Sequence, residues 1–276
     1  MVLRPFQLLG VDPPYYASLA CRCRDLIVTR VRFLVLVLVL LWVGMTSQPN
    51  DSASASSAPL PATTSIVGFV AGPLQTNCYV LIDSARTTEQ GKYPAVVIDP
   101  GMGAFATIQE QADEQNFAVE AVVLTHGHID HIRDAQPFAV PVYIHPEDKS
   151  MLSMDWSNAP FGSMFEAENM QTPADIRELE GSIDMAGATW EIHHMPGHSP
   201  GSVMFRVPGL ILGGDVIFRG GVGRTDLPGS SPEDMMLSLK KVVTEFADDD
   251  VVLSGHGPQT TIGQEKATNP FLHEVG

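Results

Sequence analysis

The 276-residue sequence predicts an α/β domain in which two mixed sheets pack face to face, with helices on their outer sides. Two runs of short apolar, β-branched segments predict the sheets, one within residues 66–144 and the other within residues 182–253. Each run is accompanied by stretches with helical spacing, and 44% of all residues are hydrophobic, which is ample for a buried core. No internal repeat relates the two runs.

The first run predicts five strands and two helical stretches. Gly72 and Pro73 mark a turn between the first two strands, and Asp99-Pro100-Gly101 ends the third. Helical spacing follows at residues 103–115, and a second helix is expected to begin after Ile129. The predicted strands are 66–71, 78–83, 95–98, 119–124 and 142–144.

The second run predicts four strands and one long helix, after a polar region at 146–175 without clear periodicity. Ser231 is a typical N-cap and Pro232 suits a first helical position, so a helix is expected over residues 232–246. The predicted strands are 189–193, 202–207, 210–212 and 251–253, with the run starting near Ser182.

Residues 1–63 predict a separate amino-terminal segment, and residues 64–276 the domain. Four arginines within residues 22–32 precede eleven uninterrupted apolar residues at 33–43, which resembles a secretory signal and is short of the roughly twenty residues of a membrane span. The Ser/Ala/Pro-rich residues 45–58 predict disorder. Two interpretations stay open: an export signal or retained membrane anchor at residues 22–43, or an artefactual or uncleaved tail, with Met45 as an alternative start.

The cysteine count and the charge restrict the location and the partners. Cys21 and Cys23 lie in the amino-terminal segment, so Cys78 is alone in the domain, which suits a reducing, cytoplasmic compartment. A net charge of −16 argues against nucleic acid as a partner, because phosphate binding needs a basic stripe. Contact with a membrane is expected only if the segment at 22–43 is a retained anchor.

The most informative motif is Thr125-His-Gly-His-Ile-Asp-His131, directly after a predicted strand. His126 and His128 are two residues apart on extended backbone, so they share one side of the chain. Asp130 and His131 fall in the first turn of a helix and face the strand end. These four side chains suit two metal ions better than one, and imidazole with carboxylate binds zinc, iron, manganese or nickel. The alternative is a hydrogen-bonded helix cap, for which three imidazoles are a poor device.

Three further candidates lie in similar contexts. His198, Asp215 and His256 each follow a predicted strand in a Gly- or Pro-rich turn, so all three are expected at the same crevice. Asp99 is expected to brace the turn beneath the metals or to support a ligand histidine. The remaining histidines and Cys78 are interpreted as strand, core or surface residues; the histidines are His145, His193, His194 and His273.

The order His-x-His-x-Asp-His, then His, Asp and His, resembles the metallo-β-lactamase superfamily, and the flanking motifs resemble a compact bacterial glyoxalase II, or hydroxyacylglutathione hydrolase. The likeness covers residues 66–273 and rests most on Thr76–Tyr79, Asp99–Gly101, Gly214–Asp226, Gly255–Pro258 and Asn269–Phe271. It implies the αββα sandwich. It also implies one metal held by His126, His128 and His198, a second held by Asp130, His131 and His256, and Asp215 bridging both.

The resemblance implies an enzyme that hydrolyses thioesters of small thiols, such as S-lactoylglutathione, in methylglyoxal detoxification. Two divalent ions, zinc first and iron or manganese otherwise, would lower the pKa of a shared water to about 7 and so provide a bridging hydroxide. Asp130 and Asp215 would be the catalytic carboxylates. The thiolate is a fair leaving group, so no strong general acid is required.

Two departures concern the substrate. The longer glyoxalase II enzymes contact the thiol carrier through a carboxyl-terminal helical domain, which has no counterpart after His256, and through a Gly-Cys-Gly-Lys stretch with a nearby Tyr. Here Gly221-Val-Gly-Arg224 matches that stretch, and Asp226 takes the place of the Tyr. Arg224 is therefore either a carboxylate-binding residue or half of a surface ion pair. The carrier stays open between glutathione, mycothiol and another small thiol, and the oligomeric state also stays open.

The main alternative function is a persulfide dioxygenase with one iron held by two His and one Asp, because such enzymes can retain all seven ligands. The stretches Gly220–Asp226 and Asn269–Phe271 favour the hydrolase. β-Lactam hydrolysis and RNA cleavage also occur in the superfamily, and the acidic balance argues against RNA. A non-enzymatic metal-binding module would be expected to lack a ligand, and none is missing.

Overall fold

Two sheets form the centre of the computed structural model, which describes residues 7–8, 58–159 and 161–275. The predicted signal or anchor at 22–43, the alternative start at Met45, and Cys21 and Cys23 lie outside the described residues. No helix in the described part of the chain is both long enough and apolar enough to span a membrane.

The first sheet has seven strands in chain order. The first three pairs of neighbouring strands are antiparallel. The last three pairs are parallel, because a helix or a longer connection crosses over between the two strands of each pair. The strands are β1 Gln7–Leu8, β2 Thr64–Ala71, β3 Thr76–Asp83, β4 Tyr93–Ile98, β5 Phe117–Val123, β6 Val142–Ile144 and β7 Ile176–Glu178. Helix α1, Ala104–Glu114, connects β4 to β5, and α2, Ile129–Ile132, follows β5.

The second sheet has six strands in the order β15-β14-β11-β10-β9-β8. Only β11 and β14 are parallel neighbours. The chain crosses over between them through the β12–β13 hairpin and then helix α3. The elements are β8 Ser182–Met185, β9 Ala188–His194, β10 Val203–Val207, β11 Leu210–Gly214, β12 Ile217–Phe218, β13 Gly221–Val222, α3 Pro232–Glu245, β14 Val251–Ser254, β15 Thr260–Thr261, α4 Ile262–Thr268 and α5 Pro270–His273.

Three buried clusters define the layers. The central cluster joins residues of both sheets, among them Leu81 and Ile98 from the first and Trp190 and Phe205 from the second. A second cluster packs α1 on the outer face of the first sheet, and a third packs α3, α4 and α5 on the outer face of the second. The predicted sandwich with helices outside is therefore confirmed.

Each predicted element is present, with small differences at its ends, whereas β1, β7, the β12–β13 hairpin, β15, α4 and α5 were not predicted. Ser231 caps α3, since its Oγ accepts a hydrogen bond from the backbone N–H of Asp234 at 3.1 Å. The polar region 146–175 forms four short 3-10 helices, Pro146–Ser153, Trp156–Asn158, Gly162–Phe165 and Ala167–Asn169. Such helices have no long apolar period, so the sequence pattern did not predict them.

Candidate metal centre

The loop after β5 places the first motif. Asp99, just after β4, accepts hydrogen bonds from the backbone N–H of Thr125 at 2.8 Å and from its Oγ1 at 2.6 Å. The chain then leaves the sheet with His126 buried and His128 in extended conformation at the N-cap of α2. Asp130 and His131 lie in the single turn of α2, as the motif predicts. The predicted bracing role of Asp99 is thus observed in its contacts.

His126 and His128 form one group with His198, which lies in the connection between β9 and β10. The Nδ1 atom of His128 is 2.8 Å from Nε2 of His198. The His126 ring centre lies 4.8 Å from that of His128 and 4.9 Å from that of His198. One ligand nitrogen from each ring falls within 4.8 Å of the others, so this group can hold one cation.

Asp130, His131 and His256 form the second group, with one ligand atom of each again within 4.8 Å of the others. Nε2 of His256, which follows β14, is 3.2 Å from Oδ2 of Asp130. Nε2 of His131 is 3.4 Å from the same oxygen. An imidazole pair with a carboxylate is a ligand set that zinc, iron and manganese accept.

Asp215 lies between the two groups at the end of β11. Its Oδ2 is 3.5 Å from Nε2 of His198 in the first group and 3.4 Å from Nε2 of His256 in the second. Its Oδ1 is 3.4 Å from Nε2 of His131. This carboxylate can therefore contact cations in both groups, and the other six side chains predicted from the sequence form those two groups.

The polar atoms in the centre test whether cations fit there. Three buried atoms lack a hydrogen-bond partner in the described structure: Nε2 of His126, Nε2 of His131 and Oδ1 of Asp215. A buried polar atom without a partner is costly, and native proteins satisfy nearly all of them. All three belong to the proposed ligands and are chemically suited to a divalent cation, so the residues present fit metal ions.

Three of the ligand rings have their far nitrogen held by a protein oxygen. Nδ1 of His131 is 3.0 Å from Oδ2 of Asp99, and Nδ1 of His198 is 2.8 Å from the Arg224 carbonyl oxygen. Nδ1 of His256 is 3.1 Å from the carbonyl oxygen of Leu74. Such contacts fix the ring orientation and leave Nε2 directed into the centre, an arrangement common among metal-binding histidines.

The electrostatics of the two groups differ. Burial, helped by nearby imidazoles, keeps the pKa of His126 well below its ordinary value and lowers the pKa of His128 to about 3. Burial also opposes charge on His131, but the Asp130 and Asp215 carboxylates outweigh it and raise the pKa of His131. The first group thus favours neutral imidazoles, and the second favours a positive charge at its centre. Both conditions suit a bound cation.

Arg224 lies at the edge of the centre, in the segment that follows the β12–β13 hairpin. Its side chain is 55% exposed and forms two contacts with Asp226, 2.7 Å from Nε to Oδ1 and 2.8 Å from Nη2 to Oδ2. Arg224 therefore forms a surface ion pair, one of the two roles expected for it from the sequence. Its backbone carbonyl oxygen, whose role was not predicted, accepts a hydrogen bond from Nδ1 of His198.

The other singled-out residues lie outside the centre. Cys78 is buried in β3 and free, with the pKa of its thiol raised by burial and by the Asp99 carboxylate. The His145 and His194 rings stack with centres 4.0 Å apart, and His194 Nε2 is 2.8 Å from the Pro200 carbonyl oxygen. The remaining two, exposed His273 and half-buried His193, lie on the outer side of the second sheet.

Asp148 is a site residue that the sequence analysis missed. Its side chain is fully buried, and its carboxylate accepts hydrogen bonds from Gly127, between two ligand histidines, and from Ser199, beside a third. In the sequence it belongs to Pro146-Glu147-Asp148-Lys149, which has the composition of an ordinary exposed turn. Its partners are distant in the chain, so no local pattern marks it.

The sequence has detectable relatives. The sequence model of the metallo-beta-lactamase superfamily matches residues 71–256. An uncharacterized protein of Mycobacterium tuberculosis is 40% identical over 223 residues, covering 75% of this chain and 97% of the relative. The probable metallo-hydrolase YqgX of Bacillus subtilis is 35% identical over 209 residues, covering 73% and 94%. Hydroxyacylglutathione hydrolase GloC of Haemophilus influenzae is 34% identical over 209 residues, covering 72% and 93%.

Solved structures share the fold. A crystal structure of TTHA1623 in a di-iron-bound form has a TM-score of 0.62 and 34% identity, and the match covers 74% of this chain and 98% of that one. The crystal structure of the B3 metallo-beta-lactamase BLEG-1 has a TM-score of 0.61 and 33% identity, with 75% and 99% covered. The likeness therefore extends over nearly the whole length of these proteins.

Proposed function

The chain belongs to the metallo-beta-lactamase superfamily, and from that membership we propose that it is a two-metal hydrolase of small-thiol thioesters. The observation that carries the two-metal proposal is the position of Asp215, within 3.5 Å of ligand nitrogens in both groups. The likeness to hydroxyacylglutathione hydrolase GloC supports a thioester of the S-lactoylglutathione type, and with it a role in methylglyoxal detoxification.

The proposed ligands are the seven side chains of the centre. One cation would be held by His126, His128 and His198, the other by Asp130, His131 and His256, and both by Asp215. When bound, two divalent cations supply Lewis acidity that lowers the pKa of a water to about 7 and polarises a carbonyl oxygen. Imidazole and carboxylate accept zinc, iron and manganese, and we propose zinc as the physiological metal.

The protein groups around the ligands determine what else the reaction needs. Thr76 Oγ1 donates a hydrogen bond to Oδ2 of Asp130 at 3.0 Å, so this carboxylate is held in place from outside the centre. Cys78 is fully buried with a raised thiol pKa, which disfavours a thiolate nucleophile from the protein. The leaving thiolate of a thioester is already stable, so no strong acid from the chain is required to protonate it.

We propose the cytoplasm as the compartment of this protein, because small thiols are abundant there and Cys78 stays reduced.

Metal analysis combined with three activity assays tests the proposed function. Protein loaded separately with zinc, iron and manganese is assayed for S-lactoylglutathione hydrolysis, for oxygen uptake with glutathione persulfide, and for hydrolysis of a chromogenic β-lactam. The expected result is about two metal ions per chain and thioester hydrolysis that a chelator abolishes. One iron per chain with oxygen uptake would instead identify a persulfide dioxygenase, and hydrolysis of the β-lactam alone would identify a lactamase.

Arg224 is proposed to bind a carboxylate of the thiol carrier by exchanging Asp226 for the substrate. Replacing it by alanine is expected to raise the KM for S-lactoylglutathione about tenfold with kcat little changed, because a charge-assisted contact made equally in the ground and transition states is lost. Steady-state kinetics measure both constants.

A matched control exists on another surface. Arg177 is 50% exposed and pairs with Asp175, two residues away as in the Arg224–Asp226 pair, with Nη2 2.8 Å from Oδ2. Arg177→Ala removes an equivalent ion pair from β7 and is expected to leave both kinetic constants at the wild-type values. Equal KM values for the Arg224→Ala variant and the wild type would show that Arg224 has only the surface ion pair.

A further inference from the structure

Asp148 lies between the two loops that supply one half of the metal centre. It is 0% exposed and belongs to the 3-10 helix Pro146–Ser153 that follows β6. Its Oδ2 accepts hydrogen bonds from the backbone N–H of Gly127 at 2.8 Å and from Ser199 Oγ at 2.6 Å. Its Oδ1 accepts from the backbone N–H of Gly201 at 2.6 Å.

These three donors flank the ligands of one group. Gly127 separates His126 from His128, and Ser199 is the residue after His198. A single carboxylate therefore connects the chain on both sides of the group, across 21 residues in one direction and 51 in the other. Both glycines pack tightly against Asp148. A Cβ added to Gly201 would lie 2.7 Å from the Asp148 carboxyl carbon, and a Cβ added to Gly127 would lie 3.1 Å from the Asp148 backbone oxygen.

The other group is held by different contacts. Asp130 accepts from Thr76, His131 contacts Asp99, and His256 contacts the Leu74 carbonyl oxygen. Among the described residues, none of these three supporting groups hydrogen-bonds with Asp148. Asp148 therefore supports the first group alone, whereas Asp99 contacts His131 of the second group and, through Thr125, the residue before His126.

We propose that Asp148 is a positioning residue that sets the metal affinity of the His126, His128 and His198 group without touching the metal. The proposal rests on the two-metal centre of the proposed function. The role requires a carboxylate at this position, because all three partners donate and a carboxylate accepts through both of its oxygens. In Asp148→Asn the amide NH₂ replaces one acceptor oxygen and faces an N–H or O–H donor, so at least one connection between the loops is broken.

The experiment measures zinc affinity of the full chain, by competition with a chromophoric chelator, in two backgrounds. His256→Ala leaves the first group intact, and His198→Ala leaves the second group intact. We expect Asp148→Asn to weaken zinc binding about tenfold in the His256→Ala background and to leave it unchanged in the His198→Ala background. In the otherwise wild-type chain, the metal-to-protein ratio at limiting free zinc should fall from about two to about one.

Asp134→Asn provides the matched control. Asp134 is also a buried aspartate, 8% exposed, and accepts from the backbone N–H groups of Gly103 at 2.8 Å and Phe105 at 3.1 Å. It therefore fixes the start of α1 and bonds neither of the loops that Asp148 connects. Zinc affinity in the His256→Ala background should not change. If Asp148→Asn does not fold, Ser199→Ala, which removes one of the three donors, enters the same two-background comparison with a smaller expected loss.

The outcomes separate this inference from the proposed function. Equal weakening in both backgrounds would show a general structural role and overturn the inference, as would no weakening in either. A wild-type chain that binds two zinc ions and fails to hydrolyse thioesters would refute the substrate and leave the inference intact. A wild-type chain that binds a single ion would refute the two-metal centre, and the inference with it.

Discussion

Replacing His198 by alanine is expected to lower the rate of thioester hydrolysis by about 10³-fold or more and to leave a folded protein. His198 belongs to the first ligand group, where its Nε2 lies 2.8 Å from Nδ1 of His128. The same Nε2 lies 3.5 Å from Oδ2 of Asp215, the carboxylate that also contacts the second group. Loss of His198 therefore removes a ligand from the first group and a neighbour from the Asp215 carboxylate, while the second group keeps its own three ligands. Groups that act as a unit in catalysis lose most of the rate enhancement when one member is removed.

Three measurements on the His198→Ala variant check this result. Steady-state hydrolysis gives the rate, circular dichroism and thermal unfolding show that the domain folds, and metal analysis gives the ratio of metal to protein. His273→Ala is the control, because His273 is an exposed histidine of α5 whose Nε2 lies 3.1 Å from the backbone oxygen of Lys266, away from the proposed ligands. A His198→Ala variant that kept most of the wild-type rate would show that the ligand assignment is wrong.

The clustering of the seven proposed ligand side chains could be predicted because they follow the ends of strands. A strand that is buried on both faces leaves a long apolar pattern, and its end is marked by Gly or Pro. Asp215 and His256 follow β11 and β14, which are parallel neighbours, so their turns meet at one edge of the sheet. The face-to-face packing of the two sheets, with Val123 of β5 and Leu253 of β14 in one buried cluster, brings that edge to the end of β5, where the first motif begins.

Side-chain roles that depend on backbone groups could not be predicted in the same way. The Arg224 carbonyl that holds His198 belongs to the main chain, and every residue in the sequence has a carbonyl. Asp148 is similar, since two of its three donors are backbone N–H groups. The short 3-10 helices of residues 146–169 have no regular apolar spacing, so they were also absent from the predictions.

Gly223 illustrates how closely the main chain approaches the ligands, and its replacement by alanine is expected to have the second largest effect. A Cβ added to Gly223 would overlap the carbonyl oxygen of Asp215 and lie 2.9 Å from the His198 ring. The chain leading to Arg224 would have to move away, and the 2.8 Å contact between its carbonyl oxygen and His198 Nδ1 would be lost. Misplacing such a ligand by about 1 Å can lower the rate of hydrolysis about 10²-fold.

Gly221→Ala is the matched control for that substitution, two residues earlier, in β13. A Cβ added there meets no atom within 4 Å, and the backbone conformation is one that alanine adopts freely. Because Gly221 and Gly223 are both glycines of one short segment, a general loss of chain flexibility would affect the two variants alike. A steric effect on His198 affects only Gly223→Ala, which should lose hydrolysis and zinc affinity while Gly221→Ala keeps both. If both variants were as active as the wild type, the hairpin would have room to shift, and the Arg224 carbonyl would not be needed to orient His198.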